Sequence, residues 1–489
     1  MSNAETPTVV MDRDILSDSI GAGQSRAAEP KVEGQTPTAK GGVSRRRFLQ
    51  IVGATSAGAA LAGCADDKSQ LLKPRVKSEG GQIPGVPVWY SSTCTECSAG
   101  CGISIKTVDG RAIKVEGAKD HPVNGGGLCA LGQSSLQSLY DPDRIRQPLK
   151  RTGEKYGVGQ FAPISWDEAL ATVAEQLGKG GSESVFLTGE VSGAHLALMQ
   201  DVSRELKIRH TVYDAMQPIA LTQAAERVYG VREIPQFEFG EADVIVNFGA
   251  DFLETWVSPV EYARGWAKGR RRELPAKTFH IEPRLSLTGG NADQWICANP
   301  GTEVRIALAV LKEVTLRTAG ANVSSELRTY IAGITKGVSV ASVADEAGIT
   351  AAKIERLIAE LVGAKAPLVL AGGSAESTER ALELQVLVAL INAVIGAVGK
   401  TVLVGQGRRV DSSLEGVTAL VDRLNEGAVG TLVIHGTNPA FTLPGDLSFR
   451  TAVRKARKVV SLATHLDETA QLADIILPSH AGLESWGLH

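Results

Sequence analysis

From Pro163 onward the chain alternates between short apolar runs of strand length and longer amphipathic stretches. Ser184–Thr188, Asp243–Phe248, Thr278–Ile281, Pro367–Leu370, Thr431–Ile434 and Val459–Leu462 read as buried strands. Ser165 and Glu168 form a capping box that predicts a helix to Leu177, with Ile164 as its staple, and a further helix runs through Leu206. Most strands end in a polar, glycine-bearing turn: Gly189–Gly193, Gly249, Ala371-Gly372-Gly373 and His435–Pro439, with Glu282-Pro283-Arg284 as the variant. Strands alternating with helices predict an α/β fold with doubly wound parallel sheets, helices covering both faces. In such sheets ligands sit at the carboxyl ends of strands, where these turns fall. Each turn alone is ordinary loop chemistry. Together they suit a phosphate-bearing cofactor. Gly399-Lys400-Thr401 is not a phosphate loop, because position 394 is Val and the order is helix then strand.

Before Pro163 the pattern changes. Residues 1–43 are polar and small with few large apolar side chains, which predicts disorder. Ser44-Arg45-Arg46-Arg47-Phe48-Leu49 precedes the apolar run Ile51–Leu61, and twin arginines before a short apolar segment predict a Tat export signal over 44–64. That run is too short to span a bilayer, as is Val386–Val398, which carries Asn392. Leu61-Ala62-Gly63-Cys64 has the form of a lipobox, making Cys64 a candidate lipid anchor. A linker follows over 65–86.

The densest chemistry lies between Cys94 and Cys129. Cys94, Cys97 and Cys101 fall inside eight residues, and Cys129 completes a C-x2-C-x3-C-x27-C spacing. Four thiolates are what a [4Fe–4S] cluster requires. Ile103, Ile105 and Val108, the turn Asp109-Gly110, then Ile113 and Val115 predict a hairpin that, with Gly125-Gly126-Gly127, returns Cys129 to the other three. Gly100 and Gly102 let the backbone turn closely beside Cys101. A zinc site also takes four cysteines, though usually as two paired knuckles, and disulfides among such close thiols would be strained. The spacing favours the cluster.

Composition changes little. A chain of 489 residues is too long for one core, and 43% hydrophobic residues are ample to fill two or three. Lys+Arg of 51 against Asp+Glu of 54 gives a net charge of −3, so no basic excess points to nucleic acid.

The cysteine stretch and its exit Tyr140-Asp141-Pro142-Asp143-Arg144-Ile145 resemble the molybdopterin oxidoreductase superfamily. So do Glu282-Pro283-Arg284-Leu285-Ser286-Leu287-Thr288 with Ala292-Asp293, Pro300-Gly301-Thr302-Glu303, and Glu468-Thr469-Ala470 with Ala473–Pro478 and Glu484. The likeness covers roughly Val88 to the C-terminus. It implies an iron–sulfur domain over 87–150, one Rossmann-like domain over 151–215 and 365–489, and a second over 216–364. It further implies bis-molybdopterin guanine dinucleotide, held by Gly249, Asp251, Glu282, Arg284, Ser286, Gly436 and Asn438.

Three departures accompany the resemblance. The region where catalytic members place a metal ligand reads His210–Pro218, where Asp214 alone suits molybdenum; an isolated Asp there is more often a loop residue. Leu131 stands where the family often has a lysine bridging cluster and pterin. The family's C-terminal barrel domain is absent, His489 falling where it should begin, so the chain is a fragment or a partner supplies the rest. Together with Phe248–Val260, these features resemble the N-terminal half of the large iron–sulfur subunit of alternative complex III, in the often molybdenum-free respiratory branch. The expectation is an iron–sulfur electron-transfer subunit, exported to the periplasm or outer membrane face. Its implied partners are iron–sulfur, cytochrome and quinone-binding membrane subunits, with membrane association through them or a lipid anchor. The alternatives are a catalytic molybdenum or tungsten oxidoreductase and a zinc-holding structural module.

Overall fold

The hairpin predicted beside the cysteines is present in a computed structural model, which describes residues 83–155, 160–319 and 321–485. The tail 1–43, the signal 44–64 with Cys64, and the linker as far as 82 lie outside the described residues. Strands β1 (Val88–Thr93), β2 (Gly102–Val108) and β3 (Arg111–Gly117) form a three-stranded sheet in that order. β2 and β3 are antiparallel, and Asp109 and Gly110 both adopt positive φ, as a tight two-residue hairpin demands.

After β4 (Leu149–Arg151) and β5 (Phe161–Pro163), Ser165 caps a helix over Trp166–Gly180 by accepting from the Glu168 N–H. β6 (Ser184–Thr188), the helix Gly193–Leu206 and β7 (Arg209–Val212) follow. The chain then leaves this layer through the helix Ile219–Tyr229 for β8 (Glu233–Phe237), β9 (Val244–Phe248), β10 (Lys277–Ile281) and β11 (Gln294–Ile296). Four helices between Glu303 and Gly363 lead to β12 (Pro367–Ala371), the helix Ala381–Val394 and β13 (Val402–Arg409). β14 (Thr431–His435), β15 (Lys458–Ala463) and β16 (Ile475–Pro478) close the order.

Two main sheets result. The first runs β5-β4-β16-β15-β14-β6-β7, parallel from β16 to β7 with β4 and β5 antiparallel at its edge. The second, β11-β10-β9-β12, is parallel throughout. Parallel strands covered on both faces are buried on both faces, hence the unbroken apolar runs. The described residues hold no barrel and no helix long and apolar enough to cross a membrane.

Two domain boundaries need correction. Leu149 and Lys150, placed at the end of the iron–sulfur domain, belong with Arg151 to β4 of the first sheet. The segment from 365, assigned to the first domain, begins in the second: β12 pairs with β9 from Pro367–Val244 to Ala371–Phe248, and β13 pairs with β8. Val402 and Val410 still belong to that domain's core, whereas Val417 belongs to the first, so the return falls near 411–416. The physical reason is that a wholly buried apolar strand carries no mark of which sheet it will extend. Asn392, the polar residue inside the apolar helix, supplies that mark in the fold: its Oδ1 accepts from the Val369 N–H at 3.0 Å and its Nδ2 donates to the Val369 carbonyl at 2.8 Å. It thereby satisfies the open edge of β12.

Candidate metal centre and strand-end sites

The cysteine loop is held by backbone and by one buried amide. The Cys94 N–H donates to the Cys101 carbonyl at 2.8 Å, joining the ends of the loop. Asn124, fully buried, accepts from the Gly102 N–H at 2.9 Å and donates to the carbonyls of Gly102 at 2.8 Å and Gly127 at 2.6 Å. It ties the first three cysteines to the glycine stretch leading to Cys129. Sequence reasoning missed Asn124, because an Asn before three glycines reads as a turn. Gly102 is required by close approach: a Cβ there would stand 2.3 Å from the His121 ring. Cys129 caps the short helix Ala130–Gln133, its Sγ accepting from the Gly132 N–H at 3.4 Å.

The four thiols lie close enough to act on one another. Burial, then the Cys97, Cys94 and Cys129 thiols, pushes Cys101 up to about 12. Cys94 is raised by burial and by Cys97 and Cys129, against a lowering backbone hydrogen bond at Glu96. Cys94 and Cys101 are buried, Cys129 half-buried and Cys97 exposed, and none is disulfide-bonded. Burial and the neighbouring thiols disfavour the thiolate forms, and ligation to iron, which removes the protons, would compensate that charge. Among the described residues no three Cys, His, Asp or Glu groups are placed to hold a single ion. A cubane makes no such demand, because each thiolate ligates a different iron atom. Four cysteines are the donor set a [4Fe–4S] cluster takes.

The exit motif closes onto the C-terminal segment. Arg144 Nη1 donates to Glu484 Oε1 at 3.2 Å and its Nη2 pairs with Oε2, while His465 Nε2 lies 3.1 Å from Asp141 Oδ2. Gly482 packs against Thr95 inside the cysteine loop.

At the strand ends of the second sheet, Asp251, Glu282, Arg284 and Ser286 form one network. Glu282, fully buried, lies 2.9 Å from His280 Nε2, accepts from Arg284 Nε at 3.0 Å and from the Ser286 N–H at 3.3 Å. Asp251 accepts from Thr288 Oγ1 at 2.6 Å and faces Arg284 Nη2 at 3.6 Å. His280 and Asn247, 2.9 Å apart, complete the buried base. Burial lowers the His280 pKa while Glu282 opposes that shift. The legible signal for His280 was its period-2 position before Glu282 on the same strand face. Gly249 has φ +71°, and a Cβ on Gly373 would stand 2.4 Å from the Gly249 carbonyl. Trp256 Nε1, under Gly372, and the fully buried Ser258 Oγ have no hydrogen-bond partner among the described residues.

The first sheet has its own group. Gly436 has φ +65°, and its carbonyl is 2.3 Å from where a Gly189 Cβ would lie. Asn438 donates to Glu468 at 2.8 Å and accepts from Thr469 Oγ1 at 2.6 Å. Asp214 stands apart: its Oδ1 accepts from the Met216 N–H at 2.9 Å and its Oδ2 from Gln217 Nε2 at 3.3 Å. That is a carboxylate folded back on its own turn. Cys297 is exposed, its thiol turned to the Pro283 carbonyl at 3.4 Å. Close-set glycine tips and orphaned buried donors suit a dinucleotide approaching the backbone.

Residues 87–141 match the molybdopterin oxidoreductase Fe4S4 domain, and residues 144–489 match the molybdopterin oxidoreductase family. The menaquinone reductase molybdopterin-binding-like subunit of Nitratidesulfovibrio vulgaris is 27% identical over 467 residues, which covers 90% of this chain and 66% of that protein. The arsenate respiratory reductase molybdopterin-containing subunit of Shewanella sp. strain ANA-3 is 29% identical over 276 residues, covering 53% of this chain and 32% of that protein. The chain thus spans two thirds of these relatives or less. The solved structure of acetylene hydratase from Pelobacter acetylenicus shares the fold, with a TM-score of 0.67 at 15% identity over 80% of this chain and 63% of that one. By its two family domains, its paired parallel sheets and its four gathered cysteines, this chain belongs to the molybdopterin oxidoreductase family and has the cysteine set for a [4Fe–4S] cluster.

Proposed function

We propose that the chain is an iron–sulfur electron-transfer subunit of a membrane-associated, quinone-linked respiratory complex of the alternative complex III kind. The observation that carries this reading is Asp214. The one side chain suited to molybdenum in its region is committed to the Met216 and Gln217 turn. The similarity to a menaquinone reductase subunit supports it. When bound, a [4Fe–4S] centre stores and passes single electrons. Cys94, Cys97, Cys101 and Cys129 would hold it, with Asn124 and Gly102 fixing their loop. Gly249, Asp251, Glu282, Arg284, Ser286, Gly436 and Asn438 would line the place of a molybdopterin dinucleotide, as binding or scaffold residues. In this reading the electron partners are other iron–sulfur, cytochrome and quinone-binding subunits.

Metal analysis of the purified full chain tests the assignment. Iron without molybdenum or tungsten is the expected result. Stoichiometric molybdenum with pterin would instead favour a catalytic reductase, a reading to which the unpartnered Trp256 Nε1 and Ser258 Oγ lend weight.

We further propose export by the Tat route to the periplasmic side, with Cys64 as a lipid anchor. Replacing Arg45 and Arg46 by Lys should hold the protein in the cytoplasm, as fractionation would show; undiminished export of that variant would remove the proposal.

A further inference from the structure

The charge held beside an iron–sulfur centre sets its reduction potential. Around the cysteine loop, Glu261 lies near enough to raise the Cys101 thiol, and Leu131, two residues after Cys129, is half-exposed and carries no charge. A cation reaches the loop from another domain. Arg408 Nη1 donates to the Ser98 carbonyl, between Cys97 and Cys101, at 2.7 Å. Its Nη2 is buried and has no hydrogen-bond partner among the described residues. The buried Tyr262 phenol lies beside the same guanidinium: burial raises its pKa, the Arg408 charge and a hydrogen bond from Arg408 oppose the rise, and the neighbouring Glu261 carboxylate adds to it.

The side chain is aimed by its strand. Arg408 lies opposite Ile234 in the antiparallel β13–β8 pair, just past an irregularity between Leu403 and Arg408. A Cβ on the preceding Gly407 would stand 2.0 Å from the Ile234 carbonyl, so the ribbon is packed too closely there to admit a side chain. A guanidinium nitrogen shielded from water is costly unless acceptors or opposing charge lie nearby, and Tyr262 and Glu261 meet only part of that need for Arg408. Four thiolates around iron would add further opposing charge there, and a reduced cluster carries one more negative charge than an oxidised one.

We propose that Arg408 is a positioning cation for the cluster, holding the Cys97–Cys101 loop through Ser98 and raising the reduction potential by favouring the reduced state. The proposal rests on the cluster assignment, and iron content is therefore read on the same samples as the potential. The experiment is an EPR-monitored redox titration of the full chain as wild type, Arg408→Gln and Arg408→Lys. Arg408→Gln should retain wild-type iron while its reduction equilibrium constant falls about tenfold, which is about 59 mV for one electron. Arg408→Lys, which keeps the charge, should remain within about twofold of wild type. Arg408→Met, which keeps the aliphatic stem, should behave as Arg408→Gln. An unchanged potential in an iron-replete Gln or Met variant would overturn the proposal. Loss of iron from both neutral variants would also overturn it, in favour of a purely structural role. Wild-type protein without iron would instead bring down the cluster assignment beneath it.

Discussion

Cys97→Ser is expected to strip most of the iron from the chain and to unfold the segment from Trp89 to Tyr140 while the two sheet domains stay folded. The reason is the size of the local core. Its buried apolar residues are Cys94, Ala99, Cys101, Ile103, Ile105 and Val115, so two of the thiols are themselves the core. A domain this small cannot be stabilised by apolar burial alone and depends on its metal, whose binding energy becomes folding energy. The exposed Cys97 contributes little packing, so the substitution tests ligation rather than cavity formation. Limited proteolysis with iron analysis reads the outcome: new cleavage before Tyr140 and iron well below wild type. Full iron with an unchanged digestion pattern would show that Cys97 is not a ligand.

Glu282→Ala should destabilise the second sheet domain by about 3–5 kcal/mol, the scale for breaking a buried charged network by removing one partner. The carboxylate serves His280, Arg284, the Ser286 N–H and, at 3.3 Å, Ser374 Oγ. Alanine leaves His280 and the Ser286 N–H buried with a partner lost, and each such group costs about 1–3 kcal/mol. The half-exposed Arg284 can turn to water and adds little. In thermal unfolding the shift should be on the order of 10 °C. Glu282→Gln, which can still accept from the Ser286 N–H, should recover part of it. A melting curve for Glu282→Ala that overlays wild type would show that the network is not structural.

Much of this was legible in the chain. The strand ends, the helix cap at Ser165 and the Asp109-Gly110 hairpin follow from local chemistry, and local chemistry is what a sequence displays. The spacing of the cysteines is local in the same sense, since three of the four fall inside eight residues. The order of strands was less legible: Pro367–Ala371 is as apolar as Thr431–His435, and its membership of the second sheet emerges only in its pairing with β9, with Asn392 covering its other edge at Val369. Long-range supports were hidden too. Asn124 acts across 22 residues on Gly102, and Arg408 acts across 310 on Ser98, distances at which no periodicity speaks. Glu282 and Arg284 stood out as a strand-end pair, but that Glu282 is fully buried and shared with His280 emerges only when β10 is paired on both sides.

The central claim is that Cys94, Cys97, Cys101 and Cys129 together ligate one cubane. Mössbauer spectroscopy of the full chain grown on 57Fe tests it most directly. The account predicts the signature of a single [4Fe–4S] centre, lost in Cys97→Ser. A chain that carries zinc in place of iron, or iron bound as a lone ion, would contradict it.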